Sequence, residues 1–248
     1  RRSLHAGSQA DSRAWGKKIM ALKDDIETKI NNVLSEQWDT RDGTAVPHDK
    51  SVSLSNEAVE VDATVLYADL TDSTTLVDSY PQWFAAEIYK MYLACASRII
   101  GNEGGTVTAY DGDRVMAVFL GDYKNSSAVK AALKINAVVR DHINPGIKNR
   151  YNQHIYTVRQ TVGIDSSKLF VAKTGVRGAN DLVWVGRAAN YAAKLSALST
   201  FNTYITHAVY NKLSNETKYS KGVDMWNKRV WKPMNDFTIY GSNFKWSL

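Results

Sequence analysis

The chain has 248 residues, a formal net charge of +6 and one cysteine, Cys95. Hydrophobic residues make up 44% and charged residues 23%, so a packed core is expected, with room for one sizeable domain plus an extension. A single cysteine excludes an intrachain disulfide and a cysteine metal cluster, and no apolar run approaches the roughly 20 residues that span a bilayer. The segment RRSLHAGSQADSR lacks the apolar core of a signal peptide, which gives an expectation of a cytoplasmic protein without direct membrane insertion. The basic balance fits either a solvated surface or a field that attracts a polyanion.

In chain order, residues 13–37 pattern as an amphipathic helix, with Ile19, Leu22, Ile26, Ile30 and Val33 on one face. That face serves either to pack on its own domain or to pair two copies. WDTRDGTAVPHDKS reads as a linker, giving a division into a helical extension with linker (1–50) and a main domain (51–248). VDATVLYADL is a β-type run ending in Asp69, and Pro81 opens a long helix closed by glycines. TVTAY and RVMAVFL flank Asp111-Gly112-Asp113, a hairpin signal. A second helix is expected over about 124–143, then separate strands in IYTVRQTVGID and KLFVAK. GRAANYAAKLSAL follows as a third helix, and TYIT, RVWK and FTIY are late strands. The order predicts an α+β fold in which helices cover one face of a mainly antiparallel sheet.

Two carboxylates carry the chemistry. Asp69 ends the first strand and Asp113 lies at the hairpin turn. Neighbouring strands lie about 5 Å apart, so two such acids can share hard cations, and Mg²⁺ or Mn²⁺ completed by phosphate oxygens fits. Either residue alone would more often be a turn former. After Asp69 and Leu70 come Thr71, Asp72, Ser73 and Thr74, whose backbone N–H groups and hydroxyls suit phosphate. The loop has no glycines, Asp72 adds an unhelpful charge, and no GxxxxGK[ST] occurs.

VLYADLTDSTTL resembles the first metal-aspartate motif of the class III adenylate and guanylate cyclases. GGTVTAYDGDRVMAVF resembles their hairpin, VGID the strand that follows, and DLVWVGRAANYAAKL the helix that closes the active site. The resemblance covers roughly 60–245. It implies a ferredoxin-like core, a homodimer with the active site at its interface, and two metal ions per site. Asp69, Leu70 and Asp113 then form the metal group, Asn190 orients the ribose, and Lys194 stands where the family has an arginine that stabilises the phosphate. Lysine keeps the charge and loses the bidentate fork. Lys232 matches, more loosely, a lysine that binds the terminal phosphates. The implied reaction is attack of the ribose 3′ oxygen on the α-phosphate with release of pyrophosphate.

Two positions that read a purine edge in that family are Ala109 and Val183 here. Neither can pair with a purine, at about 1–3 kcal/mol for each polar group left unsatisfied. This pattern resembles the pyrimidine cyclases of bacterial Pycsar antiphage systems. Tyr67, two residues before Asp69 and on the same strand face, would narrow the base pocket, and Arg114 would donate to a base carbonyl, favouring UTP over CTP. Both also fit blander readings, a core aromatic and a surface charge. The resemblance implies that the cyclic UMP formed activates a separate effector. The alternatives are a cytidylate cyclase, a purine cyclase and a degenerate cyclase-fold binding module. Direct nucleic-acid binding is not expected, since the aromatics are scattered rather than interleaved with a basic strip.

Overall fold

The computed structural model describes residues 7–151 and 156–248. The elements in order are α1 (Gly7–Ser35), β1 (Asp39–Asp42), β2 (Glu57–Leu70), α2 (Ser73–Ser79), α3 (Gln82–Asn102), β3 (Thr106–Asp111), β4 (Arg114–Phe119) and α4 (Lys124–Val138). A π-helical turn (Val139–Ile143) leads into α5 (Asn144–Tyr151), followed by β5 (Gln160–Val176), β6 (Ala179–Val185), α6 (Arg187–Ser196) and β7 (Thr203–Thr206). The chain continues through α7 (His207–Asn211), α8 (Asn215–Lys218), β8 (Tyr219–Ser220), β9 (Val223–Asp224), β10 (Asn227–Trp231) and β11 (Phe237–Ser242).

The main sheet runs β10-β11-β7-β5-β2-β4-β3. Its spine is the antiparallel pair β2–β5, laddered without interruption from Ala58 opposite Ala172 to Leu70 opposite Gln160. The half of this pair that ends at Asp69 is flanked by β4 and β7. The other half extends as an arm edged by β1 and β6. Only the β1–β2 and β5–β7 pairings are parallel, so the sheet is mainly antiparallel as expected.

Alternation along the strands divides the core between two faces. Leu66, Ala68 and Leu70 of β2, with Val115, Ala117 and Phe119 of β4, pack under α3 and α4 through Phe84, Ile88, Tyr92, Val129 and Leu133. Val61, Ala63 and Val65, with Met116 and Val118, face Ala188, Ala189 and Ala192 of α6. Helices thus cover both faces, which corrects the one-face expectation. The small side chains of α6 explain its close seating, since alanines let a helix approach a sheet that bulkier residues would hold off.

Three further expectations change. The stretch read as a linker contributes β1, whose register pairs Asp39 with Glu57. The two strands expected around Asp165 and Lys168 are one strand, because the polar interruption at Ser166 is satisfied internally: its hydroxyl donates to the Ala63 carbonyl at 3.2 Å and accepts from Thr64 at 3.2 Å. The helix expected over 124–143 continues through the π-helical turn to Tyr151. Ile155, at the head of the expected strand, lies outside the described residues, as does the side chain of Ile19.

The apolar face of α1 does not pack on its own domain. Leu22, Ile26, Ile30 and Val33 are all exposed. What ties the helix down is its C-terminal end, where the Asn56 amide donates to the Val33 and Glu36 carbonyls at 2.8 and 2.9 Å and satisfies two groups a helix end leaves open. Among the described residues, no helix is long and apolar enough to cross a membrane.

Gly163 on β5 fixes the height of α6. A Cβ at that position would lie 2.1 Å from the Ala192 carbonyl oxygen and 2.5 Å from the Ser196 nitrogen, both rigid backbone. Gly163→Ala should therefore force α6 off the sheet and lower stability by about 1–3 kcal/mol. Urea unfolding measures this, and an unchanged midpoint would mean that α6 does not depend on that contact.

Candidate active site

The two acids come together at one end of the spine. In the β2–β4 register Asp69 lies opposite Arg114, so Asp113, the residue before Arg114, sits at the adjoining corner of the hairpin. Gly112, with φ of 61°, supplies the left-handed step that turns the hairpin there. Asp69 is half-buried, and burial followed by the neighbouring Asp113 charge pushes its carboxyl up to about 6, against opposing pulls from Arg114 and the Leu70 backbone. The Asp113 Oδ2 atom is buried and has no hydrogen-bond partner. A buried carboxylate oxygen without a donor is costly unless a cation satisfies it, so this pair fits a divalent ion on the structure's own terms. Among the described residues no cluster of three or more His, Cys, Asp or Glu side chains forms. Any metal here would take its remaining ligands from backbone, water or phosphate oxygens.

Around these acids the expected residues fall into two sets. Tyr67 stands next to Asp69 on the same strand face, with the Arg114 guanidinium 5.5 Å from its ring centre. Arg114 also pairs with Asp111 at 2.5 Å, so it is held in place rather than free on the surface. Ala109 lies half-buried on β3, beyond an irregularity in the β3–β4 register. Leu70 is buried, and its neighbour Thr71 donates its N–H to the Arg159 carbonyl at 2.9 Å. Asp72 takes a left-handed conformation, with φ of 60°, and its carboxylate pairs with Arg159. That pairing offsets the charge which made the loop a poor phosphate site. Ser73 and Thr74 open α2.

The second set lies on other elements. Asn190 and Lys194 are exposed on α6, and Lys232 is exposed just after β10. The Lys194 ammonium lies 3.6 Å from the Met234 sulfur, which brings α6 against the β10–β11 connection. Val183 is exposed on β6, opposite Ala172. No hydrogen bond, ion pair or ring contact among the described residues joins Asn190, Lys194 or Lys232 to the acids.

Several residues near the site escaped the sequence reading. On α3, Tyr89 bonds to Ser73, and its hydroxyl lies in the field of Asp113 and Asp69. Tyr92 is wholly buried with an unpartnered hydroxyl, and burial first, then Asp69 and Asp113, push that hydroxyl well above its ordinary range. Asp165 and Arg187 form a bonded pair at the root of α6. Only the helical spacing of Tyr89 and Tyr92 from Ala85 and Ile88 could have marked the tyrosines, and such aromatics more often serve the core. A cavity of about 380 Å³ between α3 and α5, lined by Glu87, Lys90, Met91 and Tyr151 among others, holds no part of this constellation.

A uridylate cyclase of Xanthomonas perforans is 53% identical over 230 residues, spanning 92% of this chain and 100% of that protein. A uridylate cyclase of Burkholderia cepacia is 50% identical over 231 residues, again spanning 92% of this chain and 100% of the relative. The chain belongs to the class III nucleotidyl cyclases. Solved cyclases agree in fold. A bacterial light-regulated adenylyl cyclase superposes with a TM-score of 0.65 at 20% identity, over 76% of this chain and 53% of that one. An adenylyl cyclase from P. aeruginosa gives 0.62 at 22% identity, over 75% and 95%. No protein-family profile matches the chain. As a class III cyclase it is an enzyme acting on a nucleotide, with the α+β architecture and preceding helix expected from its sequence.

The raised Asp69 carboxyl would make any cation binding at this corner depend on pH. A carboxylate must lose its proton to ligate, so affinity is full above about 6 and falls as pH drops through that value. Apparent Mn²⁺ affinity should fall about tenfold from pH 7 to pH 5, read by electron paramagnetic resonance of free Mn²⁺. Equal affinity at both values would remove Asp69 from the ligand set.

Proposed function

We propose that this cyclase converts UTP to 3′,5′-cyclic UMP and pyrophosphate as a homodimer, with two Mg²⁺ or Mn²⁺ ions bound by Asp69 and Asp113 and the Leu70 carbonyl. The observation that carries the cation sites is the corner where a buried, unpartnered Asp113 oxygen meets an Asp69 carboxyl destabilised as an anion. The uridylate cyclase relatives, which match over nearly the whole chain, support the choice of base.

In the reaction the ribose 3′ oxygen attacks the α-phosphorus in line, the bond from that phosphorus to the bridging oxygen of the β-phosphate breaks, and the hydroxyl proton passes to water. Bound divalent ions would supply charge neutralisation at the α-phosphate and acidify the 3′ hydroxyl. Asn190 holds the ribose and Lys194 offers one point charge to the phosphate. Lys232 neutralises the terminal phosphates, and the Thr71–Thr74 turn borders them. That Asn190, Lys194 and Lys232 are exposed and, among the described residues, make no bond to the acids within one chain leaves them available to a second copy, which supports a site completed across a dimer. The exposed stripe on α1 fits the pairing role, with residues 1–50 as extension and 51–248 as catalytic domain.

Base choice follows from volume and hydrogen bonding. Tyr67, beside the Arg114 guanidinium, would narrow the base pocket against a two-ring base. Ala109 and Val183 give a purine edge no partner, whereas Arg114 can donate to a uracil carbonyl. The product would act as a second messenger in antiphage defence, read by a separate effector.

The test is turnover of the four ribonucleoside triphosphates with Mn²⁺. UTP should be cyclised at least tenfold faster than CTP, ATP or GTP, and Asp69→Ala or Asp113→Ala should lower kcat by at least 10³-fold. Preferred turnover of ATP or GTP would overturn the pyrimidine reading, and preferred turnover of CTP would overturn the role given to Arg114.

A further inference from the structure

The root of α6 is fastened to β5 at three consecutive residues. The Asp165 carboxylate, fully buried, accepts from Arg187 Nε at 2.9 Å and Nη2 at 3.2 Å, and from the Thr206 hydroxyl of β7 at 2.5 Å. The same Nη2 donates to the Ser166 carbonyl at 2.8 Å, and the Ala188 N–H donates to the Ser167 hydroxyl at 3.0 Å. Arg187 itself remains 39% exposed, so the guanidinium sits at the rim of the core with a free face. Two rings border that face without closing it off from solvent. Its central carbon lies 5.7 Å from the Tyr191 ring centre and 5.9 Å from that of Phe237 on β11. Tyr191 in turn meets Phe237 edge-on at 5.3 Å and Trp231 edge-on at 5.6 Å. Trp231 is the residue before Lys232.

We infer that Arg187 is a positioning residue that locks α6 to the β10–β11 hairpin, so that Asn190, Lys194 and Lys232 meet the substrate as one rigid set. The inference rests on the roles proposed above for those three residues.

Helix geometry makes the lock effective. At 3.6 residues per turn, Arg187, Asn190 and Lys194 lie within about 60° of one another around the axis, opposite the alanines that face the sheet. Fixing Arg187 on Asp165 therefore sets the rotation of the helix, and with it the direction of both substrate-facing side chains. The ring contacts extend the same constraint to the hairpin, which already touches Lys194 through Met234. A buried carboxylate bound by a planar, five-donor cation is suited to such a joint. The fork defines an orientation as well as a distance, and the flat face remains available for stacking.

Arg187→Lys tests this directly. Lysine keeps a cation beside Asp165 but loses the fork and the stack. The expected result is a kcat for UTP at least tenfold below wild type, with the Mn²⁺ midpoint unchanged and the melting temperature within a few degrees. Phe237→Leu leaves the ion pair intact and removes one ring from under it, and should lower kcat in the same direction by a smaller factor. Should Arg187→Lys fail to fold, Phe237→Leu decides. Wild-type kcat in the folded variants, or a loss of kcat no larger than the loss of folded protein, would overturn the inference. Asn190→Ala serves as the control. If it retains full activity, the proposed substrate roles fail, whereas an inactive Asn190→Ala beside fully active Arg187→Lys and Phe237→Leu would sink the positioning role alone.

Discussion

Two like charges meet at the corner where β2 ends and β4 begins, and the fold has to hold them there. Asp69 and Asp113 repel each other where burial already disfavours the Asp69 anion. An isolated hairpin would relax by splaying. Here β2 is laddered to β4 on one side and to β5 on the other, with apolar layers on both faces of the sheet. Arg114, the nearest cation, is partly diverted to Asp111 and leans on Tyr67. The repulsion is therefore incompletely neutralised by the protein itself, which is the condition under which a divalent ion binds.

The opposing set depends on a different economy of space. Gly163, Ala188, Ala189 and Ala192 let α6 lie almost on the backbone of β5, and the helix then projects its polar side chains outward from a fixed height. A lysine at 194 suits this arrangement. Its flexible stem tolerates a small change of pose, whereas Arg187, earlier on the same helix, is fixed by two bonds to the Asp165 carboxylate. The family motif and the local packing in this way explain each other.

Much of this was legible in the residues, for identifiable reasons. VLYADL and the Asp-Gly turn specify local geometry, so the strand, the hairpin and the position of both acids follow from short-range rules. GRAANYAAKL carries strong helical propensity, and α6 formed where expected. The long-range features were harder. Ser166 and Ser167 look like a break in a strand, because nothing in the sequence shows that Thr64, 102 residues earlier, will satisfy a serine. The pairing of Asp165 with Arg187 spans 22 residues and joins two segments whose proximity arises only on folding. β1 was missed because DTRD has no apolar alternation, and its pairing comes from the neighbouring edge of β2. One face of the sheet seemed uncovered because alanine in α6 reads as propensity rather than as burial.

The unbroken course of β5 has a mechanical consequence. From Gln160 to Ala172 every residue has a partner opposite it on β2, and β6 takes over along the far edge from Phe170 to Val176. Flexing between the projecting end and the catalytic end would have to rupture several ladder bonds together. The strand pair therefore behaves as a stiff lever. Anything that grips its distal tip would tilt the end that carries Asp69 without an intervening hinge to absorb the movement.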